Sequence, residues 1–433
     1  MKINTKLLLI TVLFTSLSFS PASLPVFAET MEAAWEAALS SNYQIKASQR
    51  NTISSQLSLE AAKSARIPSL TLESGYTILN NAPAALINGP GFAIKELPTG
   101  EDKSLSYKAM INMPVFTGGR ISEGIFSAGY GLNSAKQDEI KTILDIKMRV
   151  AEAYVSVLRS KHLVEVTGNN VASLSAHTRD VTHFYEQGMI TKNDLLASQV
   201  ALADARQRSI QAINNLNLSY AAYNRLLGRP LDNSVAIDDL SAEPVTLDLN
   251  DLTSKALSKR PELISLSEQS RALQHQAAGL RSAISPQIVV SGGYSYMQNK
   301  YQVYEDVWSA TIGLKWEIFD GGIARNNANA VLQKAEALNS IRSDIASVIS
   351  LQVRQTCLDI EETQKRIPVT RDALAQSEEN LRVAKDRYRE GVGTNTEVLD
   401  AETLRIRSYS NYYNAVYDAV IAKIRLQYAI GEL

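Results

Sequence analysis

The chain has 433 residues, with 44 Lys and Arg against 45 Asp and Glu, a formal net charge of −1. That balance excludes the basic face that nucleic-acid binders carry. The single cysteine, Cys357, excludes an internal disulfide framework, and its helical surroundings mark it as a packed residue rather than a reactive thiol.

Lys2 and Lys6 precede an apolar run from Leu7 to Phe19, and Val26-Phe27-Ala28 offers small residues at the cleavage positions. Residues 1–28 are therefore expected to be a secretory signal peptide, with no nearby cysteine to carry a lipid anchor. After residue 28 no apolar stretch reaches the roughly 20 residues of a membrane helix. An exported chain without such a helix but with amphipathic strands points to a membrane β-barrel.

From about 30 to 65, helix formers place Met31, Trp35, Ala38 and Leu39 at helical spacing, and Pro68 ends that helix. A β-hairpin is expected over 69–115. Leu70, Leu72, Tyr76 and Ile78 alternate with Ser69, Thr71, Glu73 and Thr77. On the return strand Leu105, Tyr107, Ala109, Ile111 and Met113 share one face. Between them, Asn80 to Asp102 has the Gly, Pro and Asn content of a loop. Gly118-Gly119 supplies a sharp strand-to-helix turn, since glycine tolerates positive φ. A phosphate-cradling loop would need a lysine and further glycines. A long helix follows, with Ile140, Ile143, Val150, Tyr154 and Val157 stepping by threes, fours and sevens, and Gly168-Asn169-Asn170 is expected to loosen it.

The second half repeats the first. Ala38-Leu39 returns as Ala256-Leu257. Phe116-Thr-Gly-Gly-Arg120 returns as Phe319-Asp-Gly-Gly-Ile323, and Tyr185-Glu-Gln-Gly188 as Tyr388-Arg-Glu-Gly391. Only the loop between Pro68 and Phe116 changes the offset. Self-similarity on this scale dictates the architecture: a first repeat over 29–228, a linker over 229–251 lying outside the helical body, and a second repeat over 252–433. In the second repeat the β-hairpin spans 287–318, with Trp308 and Trp316 bracketing an apolar face and Gly321-Gly322 turning the chain. Strands of about ten residues suit a bilayer crossing at a tilt of roughly 45°. From Ile323 to Arg389 a continuous helix would be about 100 Å long, with Pro368 expected to kink it. Leu338, Ile341, Ile345 and Val348 give it the seam of a coiled coil. Four strands cannot close a barrel, so closure must come from further copies.

The paired helices are joined at two tips, 185–194 and 388–400. Gly188 and Gly391 suit helix C-caps, and Thr191 and Thr394 can cap the returning helices. Asp194, Glu397 and Asp400 follow in the first turns. Acids there complement the helix dipole; repeated around a channel they would instead form a cation-selective ring. Spacing alone leaves both open. His162, His177, His183 and His275 lie in helical patterns without metal-ligand spacing and are expected to be solvated or interfacial. No nucleophile motif is present, so no catalytic residue, metal or cofactor is expected, and the chain is not expected to be an enzyme.

Duplication, Ala38-Leu39 and Ala256-Leu257 with Arg260-Pro261-Glu262-Leu263, Phe-x-Gly-Gly after each hairpin, and Tyr-x-x-Gly-x-x-Thr at each tip together resemble TolC-type outer-membrane efflux proteins, over essentially the whole mature chain. The fold this implies is mostly α with membrane β-strands. Two tandem repeats, each of helix, β-hairpin and long coiled-coil hairpin, would form a trimer with a 12-stranded barrel and a periplasmic helical tube. The implied function is a passive small-molecule export duct in outer-membrane lipid, serving a periplasmic adaptor and an inner-membrane transporter. Gly188, Thr191, Gly391 and Thr394 would meet the adaptor. Glu397 and Asp400 would line the aperture, with Asp194 and Tyr388 helping to close it. Some members carry an arginine where this chain has Gly393, so a latch built on it is not expected unchanged. The chain stops at Leu433, so no C-terminal extension is expected to wrap the tube. Two other functions remain open at this point: a duct for protein secretion, and a structural coiled-coil surface protein with a barrel anchor.

Overall fold

A computed structural model of the chain describes residues 28–433 other than 90, 91, 242 and 244. The expected signal peptide lies outside these except for Ala28. Helices α1 (Met31–Ser41) and α2 (Tyr43–Ser64) precede strands β1 (Ser69–Ile78), β2 (Ala84–Gly89), β3 (Phe92–Pro98) and β4 (Lys103–Phe116). Helices α3 (Arg120–Glu186), α4 (Lys192–Leu226), α5 (Leu249–Lys259) and α6 (Pro261–Arg281) follow, then β5 (Gln287–Met297), β6 (Asp306–Lys315), α7 (Ile323–Arg389) and α8 (Asn395–Ala429). The two long helices, α3 and α7, have 67 residues each, and their returning partners have 35 each.

The strands form one antiparallel sheet in the order β1-β4-β5-β6. Its register aligns the apolar alternation across all four. Leu72 lies opposite Ala109, Ala109 opposite Tyr294, and Tyr294 opposite Trp308. Strand pleating then puts all these side chains on one face. Leu72 is 79% exposed and Ile312 78%, so none of the described residues covers that face. β1 and β6 are edges without partners among the described residues.

Four local expectations differ from the structure. The 80–102 segment holds a hairpin, β2 with β3, closed at its base where Thr99 N–H donates to the Pro83 carbonyl at 2.8 Å; Gly and Pro punctuation masked its short strands. The second hairpin ends at Lys315, paired with Gln287, because the next residue on β5's side is Pro286, which has no N–H to donate. The Trp316 indole donates instead to the Ile284 carbonyl at 3.1 Å. The first helix breaks at Asn42, whose side chain accepts from Gln44 N–H at 2.8 Å and donates to the Leu226 carbonyl at 3.0 Å. The loosening expected at Gly168-Asn169-Asn170 is also absent: α3 runs unbroken through these residues, and α7 is helical through Pro368.

The helices form a single layer. Near the sheet the order is α2–α3–α6–α7; toward the tips it is α4–α3–α8–α7. Midway, α3 and α8 bury an apolar core of Val150, Tyr154, Val157 and Leu158 against Tyr417, Val420, Ile421 and Ile424. The linker is strapped over this core. The Tyr154 hydroxyl lies 2.7 Å from the Glu29 carbonyl and 2.8 Å from that of Asp238, and Tyr417 donates to Asp239 at 2.7 Å. Arg229 grips Glu29 with two bonds of 2.7 and 3.0 Å, a fork geometry that fixes both partners.

Candidate functional site

Each tip is built by the same local chemistry. After α3, Gly188 has φ 73°, and its N–H bonds to the Tyr185 carbonyl at 2.9 Å while Met189 N–H reaches Phe184. After α7, Gly391 has φ 75° and Val392 N–H reaches Arg387 at 3.0 Å. Glycine is the residue that takes this left-handed cap without strain. Thr191 caps α4 and Thr394 caps α8, accepting from Asp194 and Glu397 N–H at 3.3 and 3.2 Å.

The structure brings both tips together. Asn395, at the start of α8, donates to the Asp194 carbonyl at 3.0 Å and is met by His177 Nε2 at 2.8 Å. Tyr388 is buried with Val181, Leu381, Val398 and Ala401, against Phe184, Ile190 and Leu195.

The four expected aperture residues fall into different settings. Asp194 closes a capping box, its carboxylate accepting from the Thr191 hydroxyl at 2.7 Å and from Thr191 N–H at 3.3 Å. The Tyr388 hydroxyl is buried without a hydrogen-bond partner among the described residues. Burial, with Asp194 and Asp180 nearby, pushes its pKa up. Glu397 and Asp400 stand exposed one turn apart on α8, without an ion pair among the described residues. The turn glycines Gly118, Gly119, Gly321 and Gly322 all have positive φ. Gly393 sits tightly in the turn: a Cβ there would lie 3.0 Å from both Arg387 Cβ and Tyr388 N, so a side chain at that position requires the turn to shift by a few tenths of an ångström.

One residue of consequence was not singled out from the sequence, and another has a different setting from the one expected. Glu402 is 1% exposed, one turn beyond Val398 on the packed stripe of α8; a carboxylate on that stripe was the available signal. His177, expected to be solvated or interfacial, is instead buried at 4% exposure, its ring edge-on to Tyr388 at 5.0 Å. Burial lowers its pKa, and nearby Lys385 lowers it further, against the Asn395 hydrogen bond and the Asp180 and Glu402 charges that raise it.

A histidine held neutral by the fold favours folding fully above its unfolded pKa of about 6.5, and that contribution is lost as pH falls below it. Hydrogen-exchange protection factors, with the intrinsic pH dependence of exchange divided out, should therefore fall at the C-terminal end of α3 and the N-terminal end of α8 as pH drops from about 7.5 to about 5. His177→Gln should flatten this response; an unchanged pH profile in that variant would place the titrating group elsewhere.

The profile described as outer membrane efflux protein matches residues 34–229 and 252–432, skipping nearly the whole linker. The chain belongs to the outer membrane efflux protein family. It is 23% identical to outer membrane protein TolC of Vibrio cholerae over 301 residues, covering 66% of this chain and 67% of the relative. Identity is 23% to the alkaline protease secretion protein AprF of Pseudomonas aeruginosa, covering 67% and 62%, and 26% to its outer membrane protein OprJ, covering 65% and 60%. The chain thus spans about two thirds or less of these relatives' length. Among solved structures, the outer-membrane channel OprN superposes with a TM-score of 0.78 at 16% identity, covering 93% of this chain and 90% of that one. The CmeC channel of Campylobacter jejuni gives 0.79 at 14%, covering 93% and 85%. As a family member, the chain is an outer-membrane efflux channel protein with a large periplasmic helical portion.

Proposed function

We propose that the chain is a tandem duplication that assembles as a homotrimer, a passive duct across the outer membrane and periplasm. The observation that carries this is the unpartnered edges. The four-stranded sheet has two free edge strands, which lipid does not tolerate, and an uncovered apolar face. The helical layer is likewise open. Its outer helices carry exposed apolar stripes, Leu196, Val200, Ile210 and Ile213 on α4 and Ile341, Val348, Leu351 and Leu358 on α7. Further copies would satisfy both edges at once, and three would give twelve strands and a lumen.

In this duct Glu397 and Asp400 form a carboxylate ring at the periplasmic aperture, and Asp194 and Tyr388 hold the hairpins around it. The tips at Gly188 to Thr191 and Gly391 to Thr394 dock a periplasmic adaptor, and an inner-membrane pump supplies energy. Relatives named for cation efflux support small solutes as cargo. The relative named for protease secretion supports protein export as the second reading.

The test is single-channel conductance in planar bilayers. Wild type should give a small, cation-preferring conductance, and Glu397→Ala/Asp400→Ala should lose that preference. Equal preference in both proteins would remove the ring from the reading.

A further inference from the structure

The α3–α8 seam changes character along its length. At mid-height it is apolar, Val150, Tyr154 and Val157 packing against Tyr417, Val420 and Ile424. Between that core and the apolar tip cluster of Val181 with Val398 and Ala401, the same two helices meet through buried polar groups. Asn170 Nδ2 donates to Glu402 Oε2 at 3.3 Å, and the Ser173 hydroxyl bonds to Glu402 Oε1. Lys385, from α7, pairs with Glu402 Oε1 at 2.8 Å and also reaches Ser173. Arg405, on α8, pairs with Glu402 Oε2 at 3.2 Å, and its Nε is buried without a partner among the described residues.

One buried carboxylate thus collects partners from three helices and from both hairpins of the protomer. It sits eight residues past the α8 cap Thr394, about 12 Å along the helix from the aperture end.

Apolar contacts have no substitute in water, whereas water can replace each hydrogen bond of a polar seam when it parts. The polar section is therefore the stretch of this seam that can part most easily. Within the polar section, Glu402 is the one charge that offsets two cations. Remove it, and Lys385 and Arg405 face each other in a largely desolvated seam.

We infer that Glu402 is a positioning residue for the aperture: it latches the α7–α8 hairpin to α3 and so holds the tip closed. This rests on the gated-duct reading above. Glu402 touches no cargo; it acts through the placement of Glu397 and Asp400, five and two residues nearer the tip on the same helix.

The experiment is bilayer conductance of the full-length protein, wild type beside Glu402→Gln, Glu402→Gln/Lys385→Met and Asn170→Ala, each with a thermal unfolding curve. Glu402→Gln keeps the shape and removes the charge. Stranding this cation pair should raise its open probability about tenfold or more. Adding Lys385→Met removes one stranded cation and should bring open probability back toward wild type, which a merely weakened fold would not do. Asn170→Ala leaves both ion pairs and should give a smaller rise. This keeps the latch testable if Glu402→Gln fails to assemble: Asn170→Ala at wild-type open probability then overturns it.

Folded Glu402→Gln channels with wild-type open probability overturn the latch and leave the duct standing. No conductance from any inserted form overturns the duct, and the latch with it.

Discussion

Gly118→Ala should destabilise the folded protein by about 2–5 kcal/mol, whereas the same change at Gly119, Gly321 or Gly322 should cost about 1–2 kcal/mol. All four positions have positive φ, between 62° and 94°, so each alanine bears left-handed strain. Only at Gly118 is the space also taken. A Cβ there would lie 2.3 Å from Ser285 Cβ, 3.0 Å from its hydroxyl and 3.1 Å from the Ser282 carbonyl, while at Gly119 and Gly321 it meets nothing within 4 Å and at Gly322 only Asn326 at 3.9 Å. Ser282 and Ser285 belong to the joint between α6 and β5. The turn after β4 is therefore pressed against the start of the second hairpin, and β4 pairs with β5 directly beyond it. Opening that joint would shift the register contact that joins the two halves of the sheet. Thermal unfolding of the four alanine variants decides this: equal losses at all four would mean the joint yields and the close approach carries no energy.

What the sequence revealed follows from how local each signal is. Period-two alternation of Leu70, Leu72 and Tyr76, or of Trp308, Ala310 and Ile312, depends only on neighbours in the chain, so the strands and their apolar face were legible within a few residues. The helix-breaking pairs after Phe116 and Phe319 and the tip glycines were legible for the same reason. The groups that join the tips were not. Glu402 meets Asn170 and Ser173 across more than two hundred positions of sequence, and His177 meets Asn395 across a similar span. The packed stripe of α8 marks Glu402 as buried, but no local pattern names the partners of a buried carboxylate. The same holds for Asn42, which breaks the first helix because Leu226 offers it a carbonyl. Asp194 shows the converse: its capping box was legible as local chemistry, but nothing local says whether the same carboxylate also faces a lumen.

Arg260→Ala should lower stability by about 3–5 kcal/mol, the range for stranding one member of a buried ion pair. Arg260 stands immediately before Pro261, the first residue of α6, and is 4% exposed. Its guanidinium grips Glu262 through Nε at 3.0 Å and Nη2 at 2.9 Å, while Nη1 reaches the Tyr428 and Ala429 carbonyls at 3.2 and 3.4 Å. It also lies over the Tyr428 ring, 4.9 Å from its centre, and the Tyr428 hydroxyl donates to Asp145 at 2.6 Å. One side chain thus places a cation on the last carbonyls of α8, where the helix dipole favours it, and ties that end to α6 and, through Tyr428, to α3. Lysine cannot reproduce the fork or the stacking, so Arg260→Lys should lose most of the same stability. Arg260→Ala/Glu262→Ala should recover part of the loss, because Glu262 is then no longer left half-buried without its partner. Denaturant unfolding of the three variants measures all of this. A double variant no better than Arg260→Ala would assign the loss to the carbonyl contacts and the Tyr428 stacking rather than to the ion pair.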